Sequence, residues 1–579
     1  MRLAFKTASL SCCNPLFLPT LRRTFQTRNL PTKTLGLGLG FYPCRAIMAV
    51  PSRPPVQVRD NIQLNETEKK IFDRLLGTLR HFGLQNQLRV AGGWVRDKLL
   101  GKECYDIDIA LDNMLGSEFV DKVQDYLLHV GEEAQGIAVI PCNPDQSKHL
   151  ETARMRICDT WIDFVNLRCE EYCENSRIPT VQKYGTPEED AYRRDLTINS
   201  LFYNINTSSI EDYTKRGIED LKSGIIVTPL PPKATFMDDP LRVLRAIRFG
   251  ARFGFILDEE LKEAAACDEV KAALSAKISR ERIGTEIDLM ISGNQPVQAV
   301  AYISDLKLFW VVFSLHTKHE PAVSEGCDRL CVSYLEATWN LIQLIGQSTF
   351  TDEQRRRSLY AAMFLPLRKT IYKDNKGKKI PVVNYIFRDS LKRKASDAET
   401  VINVHHALEK FLSLIPYFAS NEDALISEVN WARESVDVPL TSRPRVLTGF
   451  LLQEIKDFWR VALLMATLLY PPNNDCTEDL LSKNFELERR RALFIAAEDA
   501  ILKLGLDKVW DAKPLLNGKE IMNVLQLKSG GPLVREWQQK IFAWQFAHPS
   551  GTAEECLDYI RFRFTVYRSD HAQEFAKAL

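Results

Sequence analysis

Arg89-Val-Ala-Gly-Gly-Trp-Val-Arg-Asp-Lys-Leu-Leu-Gly-Lys-Glu-Cys-Tyr-Asp-Ile-Asp-Ile-Ala-Leu111 is the stretch whose reading decides the fold. Ile107, Ile109 and Leu111 alternate with Asp106, Asp108 and Ala110. That period of two is a strand with both carboxylates on one face and the branched apolar residues on the other. Carboxylates at i and i+2 of a strand are close enough to hold a divalent cation together. Mg²⁺ favours a few carboxylates supplemented by substrate phosphates, and a pair of such ions serves in-line displacement at phosphorus. Gly92-Gly93 upstream lets backbone N–H groups approach a phosphate closely. Alone, a Gly-Gly pair reads as a turn and an Asp-x-Asp as two solvated strand residues. In combination they read as a metal-dependent nucleotidyl-transfer site.

The chain has 579 residues, enough for three or four domains, and a formal net charge of +1. A nucleic-acid partner therefore has to meet local basic surfaces rather than a globally cationic protein. The longest apolar runs, such as Val461–Tyr470, are too short to span a bilayer and read as buried helices. Thirteen cysteines are scattered without Cys-x-x-Cys pairs, which favours reduced structural thiols. Cys169 and Cys173 share a helix spacing but are too few for structural zinc.

Residues 1–59 form a separate block with seven arginines and lysines between Arg2 and Arg45, many Ser and Thr, and no acid before Asp60. This is the composition of an organelle transit peptide, with a disordered basic tail as the plainer reading. Initiation at Met48 would remove the address and leave every motif in place. The longer product is then expected in mitochondria or plastids, and the shorter in cytoplasm and nucleus.

From Leu64 to Gly83, Ile71, Leu75, Leu76 and Leu79 follow helical spacing. Strands are expected at Gly136–Ile140, His149–Ile157 and Trp161–Leu167. Asp163 fits a third acid facing Asp106 and Asp108, and fits an ordinary solvated strand residue equally well. Cys169–Glu189, with Pro179, Gly185 and Pro187, reads as a long mobile loop beside the site. Further on come Tyr192-Arg-Arg-Asp195, then Gly217 with Asp220-Leu221. Met237-Asp-Asp-Pro-Leu-Arg-Val-Leu-Arg-Ala-Ile-Arg248 follows, in which Pro240 opens a helix capped by Asp238 or Asp239. Arg242, Arg245 and Arg248 make one stripe of that helix, and Leu241, Leu244 and Ile247 its apolar companion. Ser279-Arg-Glu-Arg282 begins another helix, whose cap rests on Ser279 because Arg282 stands where a capping box wants an acid.

Taken in order, these motifs resemble those of the class II tRNA nucleotidyltransferases, the CCA-adding enzymes of eukaryotic (plant or fungal) type, within the nucleotidyltransferase superfamily. The resemblance runs from about Leu88 to Gly293. It implies an α+β architecture: a small mixed-sheet head like that of DNA polymerase beta, followed by an all-helical neck, body and tail. The expected divisions are 60–225 head, 226–295 neck with the nucleotide-templating helix, 296–480 body and 481–579 tail. The resemblance implies addition of C, C and A to tRNA from CTP and ATP with release of pyrophosphate. Asp106 and Asp108 would be the catalytic Mg²⁺ ligands. Gly93, Arg96, Arg194 and Asp195 would meet the triphosphate and ribose, and Asp239 with Arg242 would template the base, supported by Arg245 and Arg248. Glu281, Arg282 and Glu286 would brace the neck.

The pairing is chemically sensible. Cytosine and adenine both offer an exocyclic amine beside a ring-nitrogen acceptor, which a carboxylate and a guanidinium read together. Uracil and guanine reverse that pattern and leave mismatched polar groups. A poly(A) polymerase, or an enzyme adding only CC or only A, shares the head motifs; a non-catalytic RNA-binding scaffold would have no use for the paired aspartates. Beyond Asn294, basic runs at Arg355–Arg357, Tyr372–Lys379, Leu391–Lys394 and Arg489–Arg491 are solvated faces, one or two of which would meet RNA phosphates. His405-His406 lacks the His-Asp partners of a metal phosphohydrolase and reads as helix.

Overall fold

The computed structural model describes residues 56–132, 136–140, 151–171, 179, 181–420, 439, 441–471 and 486–570. The transit-peptide reading of residues 1–59 and the alternative start at Met48 lie outside these residues, apart from positions 56–59. Helix α1 spans Glu66–Phe82. Its start is a reciprocal box: the Glu68 N–H donates to the Asn65 side chain at 2.8 Å, and the Asn65 N–H donates to Glu68 at 2.8 Å. Gly83 ends it at φ 63°, the left-handed conformation that glycine adopts without steric cost. Of the expected apolar stripe, Ile71, Leu75 and Leu79 are buried and Leu76 half-buried, and Phe72 joins them.

That stripe covers one face of a seven-stranded sheet in the order β3-β4-β5-β2-β1-β8-β9. The strands are β1 (Leu88–Ala91), β2 (Ile107–Leu111), β3 (Ile137–Ile140), β4 (Thr152–Ile157), β5 (Thr160–Asn166), β8 (Phe202–Asn204) and β9 (Ser209–Glu211). Only β2 and β5 pair in parallel; the other neighbours are antiparallel. The parallel register sets Asp108 beside Asp163 and Ile107 beside Ile162. Ile107, Ile109, Ile162 and Phe164 are buried with Phe119 of α3 (Gly116–His129), while Asp108 and Asp163 turn to the other face.

Three local expectations need correction. Asp106 precedes β2 and is exposed rather than lying within the strand. The described residues of the Cys169–Glu189 segment are mostly regular: β6 (Arg168–Glu171) pairs antiparallel with β7 (Val181–Tyr184), and α4 (Pro187–Tyr192) follows, while 172–178 and 180 lie outside the described residues. Thr186 accepts the Glu189 N–H and Pro187 occupies the first turn, so the polar run that looked like loop is in part a strongly signalled helix start. Cys169 consequently sits on a strand, and Cys173 lies outside the described residues.

Beyond the head, α7 (Leu241–Phe253) carries the arginine stripe and packs against α10 (Arg280–Ile291). Ser279 stands at the α10 N-cap but makes no side-chain capping bond. The remainder is mostly helical rather than wholly so. Ile225–Ile226 pairs in parallel with Ile256–Leu257, and the basic Tyr372–Lys379 run is the turn of a hairpin in a three-stranded sheet. Arg355–Arg357 is half-buried and engaged in intramolecular ion pairs rather than forming a solvated face. Arg356 bridges Asp288 of α10 and the buried Asp397, and Arg357 pairs with Glu353 and Asp397. Val461–Leu468 of the apolar run is buried within the helix Trp459–Leu469, and no helix among the described residues is long and apolar enough to cross a membrane.

His405 is buried in the helix Ala395–Ser420, with its Nε2 2.8 Å from the Ala361 carbonyl. Burial drives its pKa down to about 4. A histidine held neutral in the folded state and ionisable when unfolded contributes stability that is lost as pH falls from about 6.5 toward 4. The expected loss is on the order of 3 kcal/mol. Urea denaturation across that range checks it: His405→Gln, which keeps a donor toward Ala361, should flatten the acid limb, and an unaltered limb would remove His405 as its source.

Candidate active site

Asp106, Asp108 and Asp163 converge so that one oxygen from each lies within 4.8 Å of the others. Asp163, left open by the sequence, joins the pair because the parallel β2–β5 register sets it directly across from Asp108. The cluster is electrostatically uncomfortable. Asp108 is pushed up to about 6, by burial first and then by the charges of Asp106 and Asp163. Burial likewise raises Asp163, although Arg154 pairs with it at 2.7 Å. Hard oxygen ligands crowded at this spacing fit divalent cations that keep further positions open for substrate oxygens.

Beside the triad opens a cleft of about 720 Å³, lined by eight arginines and six carboxylates. Asp106 and Asp108 form part of its wall, as do Gly93, Arg194, Asp195, Asp239, Arg242 and Arg245. Gly92 turns the chain at φ 68° and donates its N–H to the Leu201 carbonyl at 2.8 Å. A Cβ there would lie 2.8 Å from Arg194 Nη1, so the first glycine makes room for an arginine of the cleft. The second, Gly93, opens α2 (Gly93–Leu99) at the cleft wall.

The arginines are held by carboxylates, and the one that grips two of them, Asp190, was not singled out by the sequence. Asp190, on α4, takes Arg194 Nε and Nη2 on one oxygen and Arg193 on the other. Its burial alone would raise its pKa, but the charges of Arg194 and Arg193 outweigh that and hold it at about 2. Asp195 accepts its own neighbour's N–H from Leu196, Asn199 Nδ2 at 3.0 Å, and Arg245 Nε at 2.7 Å. Arg96 is 3% exposed, and its guanidinium bonds Asp97 and Asn199 while lying against the rings of Phe249 and Phe253. It builds the wall more than it offers donors to a ligand. Arg248 lies outside the cleft lining and donates to Glu286 at 2.6 Å, so its support is indirect.

Asp239 and Arg242 meet the cleft together, and Arg242 is fixed by donating to the Arg193 carbonyl at 2.6 Å. Asp239 uses one oxygen for the Leu241 N–H at 3.2 Å and gives the other to Arg282 Nη2 at 3.1 Å. Arg282 therefore lines the site and holds the acid rather than only bracing α10. A basic residue where a helix start wants an acid was the available sign that its partner lies elsewhere. Asp190 carried a similar sign: an acid three and four residues before a pair of arginines, on a helix that the loop reading concealed.

A model of the poly A polymerase head domain matches residues 88–227. The mitochondrial CCA tRNA nucleotidyltransferase of Candida glabrata is 32% identical over 550 residues, covering 86% of this chain and 96% of the relative. That of Saccharomyces cerevisiae is 33% identical over 507 residues, covering 82% and 87%. The chain belongs to the tRNA nucleotidyltransferase family. Its fold is shared with the Bacillus stearothermophilus CCA-adding enzyme solved with CTP, at a TM-score of 0.55 and 18% identity, over 88% of this chain and all of that one. Family membership accounts for both halves of the site, since the family joins a nucleotide to an RNA end.

The raised Asp108 pKa makes a stability statement. Its ionised form is disfavoured in the folded protein relative to the unfolded one, so at pH 7 the charge costs stability, and the cost fades as pH falls from about 6 toward 4. Asp108→Asn should therefore raise stability at pH 7 by on the order of 1–3 kcal/mol while losing activity. Chemical denaturation in the presence of a chelator measures it; a variant no more stable than the parent would mean that the three carboxylates do not strain one another.

Proposed function

We propose that this protein adds CCA to the 3′ end of tRNA, using CTP twice and then ATP and releasing pyrophosphate. The observation that carries this reading is the carboxylate triad at the edge of an arginine-lined cleft in which Asp239 and Arg242 stand side by side. Asp106 and Asp108, joined by Asp163, would hold Mg²⁺. When bound, the metal supplies a lowered pKa at the attacking hydroxyl and neutralises charge on the departing pyrophosphate. The chain's own groups do the rest. The backbone at Gly93 and the guanidinium of Arg194 receive the triphosphate. Asp195 and Arg245 keep the floor in shape, and Asp239 and Arg242 accept and donate at the edge of cytosine or adenine. The divisions 60–225, 226–295, 296–480 and 481–579 are proposed as head, neck, body and tail. The mitochondrion is the proposed destination from Met1, in line with the relatives' names and the acid-free N-terminal block, with plastid import the other organelle reading and cytoplasm or nucleus following from Met48.

The match to a poly A polymerase head favours one second reading, polymerisation of A alone. Purified protein given tRNA without its 3′ CCA and each labelled nucleotide separately distinguishes the two. Two C additions, then a single A after them, are expected. A long A tail, or incorporation of UTP or GTP, would overturn CCA addition.

Asp239→Ala should lower CTP and ATP use while relatively favouring UTP, by roughly ten- to a hundred-fold in selectivity, because one charged hydrogen bond is lost and the phosphate contacts remain. Arg282→Ala should move selectivity the same way by releasing the Asp239 carboxylate. Equal losses for all four nucleotides would reduce Asp239 to a helix cap. Truncation of residues 1–47 should move a fluorescent fusion out of organelles with enzyme activity intact, and continued import would discard the transit-peptide reading.

A further inference from the structure

The triad is a border. Asp106 and Asp108 line the nucleotide cleft, whereas Asp163 lies beyond its lining. Two substrates must meet at the carboxylates, and the cleft accounts for one approach. On the other side lies the outer part of the same sheet face. Trp161 and Asp163 alternate on β5, and the β4–β5 register sets Arg156 across from Trp161 and Arg154 across from Asp163. Cross-strand partners and i, i+2 neighbours are in reach of one another, so these four side chains make one contiguous surface. Trp161 is 41% exposed, while Trp94, Trp459 and Trp537 are almost wholly buried. The Arg154 guanidinium sits over its ring at 5.4 Å and also pairs with Asp163 at 2.7 Å. A Cβ on Gly136 would come within 3.2 Å of the indole, so the glycine lets the ring lie close against the neighbouring chain.

We propose that Trp161, with Arg154 and Arg156, receives the 3′-terminal nucleotide of the RNA, stacking its base on the indole and holding its phosphate with the guanidiniums. This rests on the CCA-adding reading and adds the place of the primer end. The chemistry suits that task. The terminal base is not constant: the tRNA's own last base is presented for the first addition, and C for the second and third. An aromatic face binds any base, whereas hydrogen-bond readout would reject some of them. The arginine pair, half-exposed beside the carboxylates, supplies the positive charge that the triad lacks on this side.

The test compares binding of tRNA lacking CCA with the same tRNA made abasic at its 3′-terminal position, without nucleotide or metal. The parent protein should prefer the intact terminus by about ten-fold, Trp161→Ala should lose the preference, and Trp161→Phe should keep most of it. In turnover, Trp161→Ala should raise KM for tRNA by a similar factor and leave KM for CTP within two-fold. Thermal melting of each variant controls for folding, since the exposed ring contributes little packing. A parent indifferent to the missing base, or an alanine variant that retains the preference, would overturn the proposal and leave the indole as a surface for a protein partner. Failure of the parent to incorporate C and A would instead strike the CCA-adding reading itself.

Discussion

Asp190 gives one carboxylate oxygen to Arg194 and the other to Arg193, and the cleft depends on that buried junction. An isolated buried carboxylate would pick up a proton; here two guanidiniums keep it ionised. The exchange serves both sides. Arg193 and Arg194 lose the freedom of long side chains, and their orientations become part of the wall. The Arg193 backbone carbonyl then accepts Arg242, which links the α4 region to α7. Truncating the Asp190 side chain would remove the buried carboxylate that Arg193 and Arg194 share, a costlier change than losing a surface ion pair.

A second buried carboxylate repeats the logic. Asp195 joins Asn199 and Arg245, and Glu286 of α10 joins Arg248 with a longer approach to Arg245. Arg282 closes the circuit by reaching back from α10 to Asp239. Arginines from one helix are thus oriented by an acid in the turn after α4 and by another from α10, and the acid proposed to read the base is itself held by an arginine. Buried charge of this kind contributes little net stability, since desolvation offsets attraction. It fixes direction, which a cleft that has to distinguish bases requires. The metal-side carboxylates are the opposite case: Asp106, Asp108 and Asp163 crowd together without enough counter-charge, as expected of groups kept for a cation rather than for stability.

Much of the fold was legible because its signals are local. The capping box at Asn65 and Glu68, the alternation from Ile107 to Leu111, and the proline opening the segment before α7 each depend on residues within a few positions of one another. The β6–β7 pairing was missed because its strands are short and polar, so neither period of two nor apolar content marks them. The basic clusters were misjudged for a related reason. Arg356 and Arg393 look solvated in the sequence, yet both reach Asp288, more than sixty positions away on α10.

By itself the sequence determined which chemical groups are present and which elements carry them: paired aspartates at the start of a strand, a double glycine before a helix, and an arginine stripe along another. Those follow from periods of two and about three and a half, which any short window contains. The tertiary structure alone decided that Asp163 completes the triad, that Arg282 holds Asp239, that Asp190 orders the arginine pair, and that Arg248 turns away from the cleft. Each of these depends on strand register or on helix-to-helix packing. Such long-range contacts leave no periodic trace in the chain, because the partner's distance along the sequence is set by the fold rather than by local geometry.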